Sequence, residues 1–300
     1  MPTPAARPDA LRGQVFRGST AVRRGLLTAK QLRSSAWVRL RQDVYADAAL
    51  EITHRLLLSA VGLVLPVGAG FTGLSAAMLW GVPDIAGRDD PVEVVLPEGS
   101  RWHPGAGVRV HRTAGAVGLE HAGRWRCTGR VDTAVGLVRR GSEEDAVVLL
   151  DRLLAAGMVR LDDVREAVAD LARGRGAAQA RRVAALAAEF ADSPQETRLR
   201  LAIVRADLPM PVPQFRVFDD EGFVARVDLA YPELLIAIEY DGLWHAERRA
   251  FLDDRRRLNR LVAAGWVVLH VTSDDLRHPD RLVARIRALR ARRLADINAR

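Results

Sequence analysis

The stretch that decides the reading is Arg226-Val227-Asp228-Leu229-Ala230-Tyr231-Pro232-Glu233-Leu234-Leu235-Ile236-Ala237-Ile238-Glu239-Tyr240-Asp241-Gly242. Two apolar runs flank Tyr231-Pro232-Glu233-Leu234, which suits a tight turn with proline at its second position. Such a hairpin sets Asp228 opposite Ala237. Strand alternation then puts Asp228, Glu239 and Asp241 on one face and Ile236 and Ile238 on the other, and a slip of one residue would exchange the faces. Carboxylates on apolar strands need a partner, because two of them about 4 Å apart repel by on the order of 4 kcal/mol at an effective dielectric of about 20. Arginines such as Arg226 offer one answer, a set of surface ion pairs. A divalent magnesium or manganese ion offers the other: it takes oxygen ligands and, facing a phosphodiester, lowers the pKa of a bound water.

The flanks extend this into an α/β pattern. Ser193-Pro194-Gln195-Glu196 opens a helix, with serine as N-cap, proline in the first turn and glutamate at the third position. Strands are expected near Gln214–Phe218, Phe223–Ala230 and Leu234–Tyr240, then a charged helix over roughly Glu247–Ala264 that ends at Gly265. A strand at Trp266–Val271, a cap at Ser273 and a basic helix from Asp280 complete the run. Glu196 fits two roles, the capping position and a fourth carboxylate. His245, four residues past Asp241, suits a general acid or base, a contact to the scissile phosphate, or a plain loop histidine. Trp244 beside it can stack on a base or simply pack.

These residues resemble the very-short-patch-repair-like (Vsr-like) endonuclease group of the PD-(D/E)XK superfamily. The likeness rests on Ser193-Pro194-Gln195-Glu196-Thr197-Arg198-Leu199-Arg200, Val227-Asp228-Leu229, Ile238-Glu239-Tyr240-Asp241-Gly242, Trp244-His245, Asp253-Asp254-Arg255-Arg256-Arg257-Leu258-Asn259 and Ala264-Gly265-Trp266-Val267-Val268. It implies a restriction-endonuclease-like, four-stranded mixed sheet flanked by helices, and Mg2+- or Mn2+-dependent cleavage of DNA. Asp228 matches the central metal-binding aspartate, Glu239 the second acidic position and Glu196 the helix glutamate, with Asp241 as a further ligand. The superfamily's usual lysine would fall at Asp241. The only lysine of the chain is Lys30, so His245 or an arginine such as Arg256 would have to act in its place.

Nearer the N-terminus, Leu27-Thr28-Ala29-Lys30-Gln31-Leu32 reads as a helix entered through Thr28. Trp37 to Tyr45 then alternates apolar and polar residues, with a turn near Gln42-Asp43. A helix followed by a small β-wing is a winged-helix pattern; a plain α+β lobe with a basic face fits the same spacing. Leu26–Leu32, Val38–Ala46 and Gly73-Leu74-Ser75-Ala76-Ala77-Met78-Leu79-Trp80-Gly81 resemble the winged-helix antitoxin domain of the AbiEi family, which often precedes such a nuclease-like domain in actinobacterial proteins. Asp43 stands where that pattern has a glycine. The resemblance implies DNA binding, autoregulation and a partner toxin. It supplies the alternative to an enzyme: a non-catalytic DNA-binding regulator or antitoxin of a type IV toxin–antitoxin or phage-defence system. Expected DNA contacts are Lys30, Arg39 and Arg41 here, and Arg226, Arg256 and Arg285 in the C-terminal part.

Length and composition bound the rest. The chain has 300 residues, 49% hydrophobic and 27% charged, which suits a globular protein of about two domains at roughly 150 residues each. Composition shifts divide it into residues 1–50, a mostly helical middle at 51–185 that carries strands at Val92–Leu96 and Val108–His111, and the nuclease-like part at 190–300. A single cysteine, Cys127, excludes an internal disulfide and multi-cysteine metal sites and suits a reducing cytoplasm. Leu56 to Val82 carries no charge and is long enough to span a bilayer, but its central glycines and Pro66 favour a buried helix, turn and second helix over a membrane span. The net charge is +8, and +6 of it lies in residues 276–300, where eight arginines face two aspartates. A basic helix of this kind suits contact with a phosphate backbone. No heptad marks an oligomer.

Overall fold

The computed structural model describes residues 7–113, 118–189, 193–241 and 248–299, the side chains of 248–254 excepted. The chain is α/β, with sheets flanked by helices, and it divides into two compact units, Met1–Leu137 and Val138–Arg300. The division does not fall at residue 50 or near 185, where composition changes. The reason is packing: residues 51–128 build a sheet, while the helices after 138 pack on the C-terminal sheet's own helix.

In the first unit, β1 (Val15–Arg17) leads into α1 (Gly18–Arg23), and β2 (Trp37–Arg41) and β3 (Val44–Asp47) form a hairpin in a sheet of order β1-β3-β2. The expected helix over 27–32 is only a 3-10 turn, Gln31–Arg33, although Thr28 Oγ1 does accept from Gln31 N at 3.2 Å. The hairpin turns at Asp43, whose φ of +59° explains why a glycine suits this position. Asp43 makes up for its Cβ by hydrogen bonding: it accepts from Ser19 N and Oγ at 2.6 Å each and from Arg17 Nε at 3.0 Å. Phe16, Leu27, Leu32 and Trp37 close the core beneath, with Phe16 edge-on to Trp37 at 5.1 Å.

The section after residue 50 is not mostly helical at first. The charge-free stretch folds as α2 (His54–Gly62), β4 (Gly70–Phe71) and α3 (Gly73–Leu79). Among the described residues, no helix is long and apolar enough to cross a membrane. Strand β4 joins β5 (Val92–Leu96), β6 (Val108–Arg112), β7 (Leu119–Ala122) and β8 (Trp125–Thr128) in a five-stranded sheet of order β6-β5-β4-β8-β7, followed by α4 (Arg130–Val138). Strands this short leave little periodicity to read. Every residue of β5 is buried, Glu93 included, and β5 pairs in parallel with β6. The Glu93 carboxylate accepts from Leu74 N at 3.2 Å and contacts His111 Nε2 at 2.6 Å. It fills the space where a Cβ on Gly73, at φ +55°, would stand 2.6 Å away.

The second unit begins with α5 (Glu143–Ala155), α6 (Leu161–Ala169), α7 (Ala177–Leu186) and α8 (Pro194–Arg205). Ser142 and Ser193 cap α5 and α8 through the third residue's N–H, as their sequences predict. Then come β9 (Val212–Asp219), β10 (Gly222–Tyr231), β11 (Ile236–Tyr240), α9 (Arg248–Ala263), β12 (Val267–Val271), α10 (Ser273–Arg277) and α11 (Pro279–Asn298). The sheet order is β12-β11-β10-β9, with β11 and β12 parallel and the other pairs antiparallel. The cap of α10 is Thr272 rather than Ser273, in a capping box with Asp275.

The decisive hairpin differs from expectation by two residues. Ala230, not Asp228, pairs with Ala237. The turn is longer than a four-residue one: Pro232–Leu234 is a 3-10 turn and Leu235 follows with φ +51°. A shift of two preserves the faces, and with Leu229 paired to Ile238, Asp228 and Glu239 are the next positions on the two strands. The strand also breaks its own alternation there. Ala225 and Val227 pack with Leu261 of α9 and Trp266, whereas Leu229 and Tyr231 pack with Leu199 and Ile203 of α8 and Leu282 and Ile286 of α11. An unbroken strand would keep all four on one side. The switch falls at Asp228, and its partner position on β9, Gln214, has φ +48°.

Candidate active site

The switch point gathers three carboxylates from three elements. Asp228 comes from β10, Glu239 from β11 and Glu196 from the first turn of α8. Asp228 Oδ2 accepts from Tyr240 N at 2.8 Å. Burial pushes the Asp228 carboxyl up to about 6; the Tyr240 N–H pulls the other way, Glu196 and Glu239 add to the rise, and Arg257 lowers it. Glu239 is buried and holds a forked ion pair: Arg257 Nη1 donates to Oε1 at 2.5 Å and Nη2 to Oε2 at 3.0 Å. Glu196 Oε2 accepts from Gln214 Nε2 at 2.9 Å, so the backbone strain at Gln214 aims a side chain into the cluster.

Asp241 takes a different place. Its N–H donates to Val271 O at 2.7 Å and its side chain is half exposed. Asp241 Oδ2 lies 3.0 Å from His270 Nδ1, within ion-pair range but without the alignment of a hydrogen bond. His270 sits beside Glu239 in the parallel register. His245 and Trp244 lie outside the described residues.

Three residues of this arrangement escaped the sequence reading. Arg257 carried a signal: it lies four residues before the buried Leu261 and so shares the sheet-facing side of α9, whereas the expected Arg256 is exposed. His270 could have been found from the alternation of β12. Nothing in the sequence marks the left-handed backbone of Gln214.

The expected basic contacts divide. Lys30 and Arg39 are exposed, with Arg39 Nε donating to Arg41 O at 3.3 Å. Arg41 is partly buried, which lowers its pKa, and it donates to Ala106 O at 3.4 Å. Arg226 is exposed on β10. Arg285 pairs with Asp275. Much of the basic charge of α11 is spent inside the unit: Arg287 donates to Ala206 O at 2.7 Å, Arg293 to Leu234 O at 2.8 Å and Gly265 O at 3.0 Å, and Arg290 lies over the Tyr231 ring at 4.7 Å.

Glu196 and Glu239 both raise the Asp228 carboxyl, and Arg257 is the one cation among its principal influences. Arg257 also competes for Glu239, and among the described residues no three of His, Cys, Asp and Glu stand in a ligating group.

The chain matches no family model. It is 31% identical over 259 residues to the uncharacterized protein Rv2248 of Mycobacterium tuberculosis strain H37Rv, an alignment that covers 85% of this chain and 93% of the relative. The uncharacterized protein MT2308 of strain CDC 1551 matches to the same extent. Among solved structures, the RV2827C protein of M. tuberculosis aligns over 69% of this chain and 84% of its own, with a TM-score of 0.41 and 17% identity.

Proposed function

The chain belongs to the family of the mycobacterial proteins Rv2248 and MT2308, and from its own side chains we propose that it is a divalent-metal-dependent DNA endonuclease with a winged-helix DNA reader in its first unit. The observation that carries this is Asp228, a carboxyl pushed up to about 6 by burial and by Glu196 and Glu239. Acids brought together at such cost are characteristic of catalytic and metal-binding sites. Asp228 and Glu239 would hold Mg2+ or Mn2+, with Glu196 as a further oxygen donor; Asp241 would have to leave His270 to join them. The ion supplies an activated water and charge stabilisation at the phosphate. Both Glu239 oxygens are held by Arg257, so Glu239 would hold the ion only if Arg257 released one, and that guanidinium would then be available to phosphodiester oxygens. In this reading Arg257 takes the part of the missing lysine, a role in which its fork geometry suits phosphate. The restriction-endonuclease-like sheet of the second unit and the β2–β3 wing of the first are the frames this reading assigns to cleavage and targeting.

The test is plasmid nicking by the full chain in Mg2+ and Mn2+. Asp228→Ala and Glu239→Ala are expected to abolish it, and Mn2+ is expected to raise the melting temperature of the wild type but not of the variants. Equal nicking by Asp228→Ala overturns the assignment.

One observation favours a second reading. The Arg257 fork balances Glu239 without any metal, as suits a DNA-binding regulator or antitoxin that has kept the fold without the chemistry. Footprinting upstream of its own gene, with no nicking and no Mn2+ shift, would support that reading, and co-purification with a toxin protein would extend it.

A further inference from the structure

The hairpin that leads into Asp228 carries an unusual outer surface. Phe218 and Phe223 pair across β9 and β10, yet they stay 58% and 48% exposed. Their rings meet edge to face at 5.7 Å. Arg216 lies over both, at 5.7 Å from the Phe218 centroid and 5.2 Å from that of Phe223. Its cross-strand neighbour is Arg226, also exposed. Like charges directly opposite on a sheet are unfavourable, and among the described residues no carboxylate pairs with Arg216.

Two of the three acids of the turn, Asp219 and Glu221, are engaged elsewhere. Asp219 has both oxygens on Arg260 of α9, at 2.9 and 2.6 Å, and Glu221 lies 3.9 Å from the same arginine. They are drawn to the α9 side, where Val217 and Ala225 also pack. Arg216, Arg226 and the two edge-to-face phenyl rings lie on the opposite surface, beside β9, which among the described residues pairs with β10 alone.

We propose that this surface, Arg216, Phe218, Phe223 and Arg226, is a platform for single-stranded DNA: bases stack on the phenyl rings while the guanidiniums take the phosphates. Charge complementarity selects this occupant. A second copy of the chain would bring Arg216 and Arg226 against their own equivalents. Stacking tolerates any base, so the platform holds a strand without reading it. Arg226 lies two residues from Asp228, roughly 7 Å along the strand, a distance over which, on the endonuclease reading, a bound strand would reach the acidic cluster. Only that last step rests on the endonuclease reading. Binding itself does not, and it is measured in EDTA.

The experiment is fluorescence anisotropy of labelled oligo-dT, and of a duplex of equal length, with the full chain. Phe218→Ala/Phe223→Ala is expected to weaken oligo-dT binding by about tenfold or more and duplex binding by less than twofold. Arg216→Ala is expected to flatten the salt dependence of oligo-dT binding. Exposed positions of this kind tolerate substitution, and an unchanged melting temperature verifies it. Wild-type affinity for oligo-dT in the double variant overturns the proposal. So does an equal loss for duplex, or a change of oligomeric state by gel filtration with oligo-dT binding intact. If nicking fails while Phe-dependent oligo-dT binding persists, the endonuclease reading falls and the platform stands.

Discussion

Replacing Asp228 by asparagine should stabilise the protein, and the pH at which it does so can be stated in advance. The folded chain holds this carboxyl at about 6 instead of its ordinary 3.8. The protonated form is therefore favoured in the folded state, and the folded chain binds this proton more tightly than the unfolded one. Stability linked to the group is fully present below about pH 4 and is lost as pH rises through about 6. At about 1.4 kcal/mol for each tenfold, the loss amounts to ~3 kcal/mol. Asp228 keeps part of its surface in water, which screens the charge and reduces the expected figure to about 1–2 kcal/mol. Asparagine keeps an oxygen for the Tyr240 N–H but never ionises. Urea unfolding in EDTA is therefore expected to find Asp228→Asn about 1–2 kcal/mol more stable than wild type at pH 8 and equal to it at pH 4, with the gap opening between. A variant no more stable at pH 8, or more stable by the same amount at both pH values, refutes the electrostatic account.

Other substitutions test the frame around this site. Asp151 of α5 is buried, accepts from Thr197 Oγ1, Arg200 Nη2 and Ala188 N at 2.8 Å each, and has its pKa raised by burial despite Arg200. Asp151→Ala leaves Arg200 buried and unbalanced and is expected to cost about 3–5 kcal/mol in urea unfolding, with Asp151→Asn losing less. Gly73→Ala forces a left-handed alanine against the Glu93 carboxylate and is expected to cost about 3 kcal/mol, read as a fall in melting temperature. At the β2–β3 turn, burial works against the Asp43 charge, but Ser19 and Arg17 outweigh it and hold the carboxyl below its ordinary range. Asp43→Asn should stay within about 1 kcal/mol of wild type by thermal unfolding, while the β-branched Asp43→Val should lose clearly more.

Capping and alternation made the second unit legible. Ser193-Pro194-Gln195-Glu196 and Gly265 mark their helix ends because the orphan groups there admit few residue types. The order of strands and helices from 193 onward follows the sequence reading element by element. Strands β4, β7 and β8 escaped because two to four residues carry no usable period. The hairpin register was missed because a 3-10 turn and a left-handed leucine lengthen the loop, and no residue type there demands either. At the site, residue identity picked out Asp228, Glu239 and Glu196, but partners are set by rotation about a helix, so Arg256 was named where Arg257 reaches in. The arginines of α11 illustrate the same limit. A count of charges cannot reveal that Ala206, Leu234 and Gly265 leave carbonyls that arginine side chains satisfy.

The Asp151 cluster bears on how such a protein can be assembled from parts. The residues that resemble a nuclease start at Ser193, which invites the picture of an interchangeable cassette. Yet Thr197 and Arg200, on the helix that delivers Glu196, face backward to an aspartate 46 and 49 residues upstream. A cassette cut at residue 190 would carry a buried cation without its counter-ion, and the helix bearing Glu196 would lose its anchor. A module that keeps this ion pair must therefore include Asp151 of α5, as the unit starting at Val138 does.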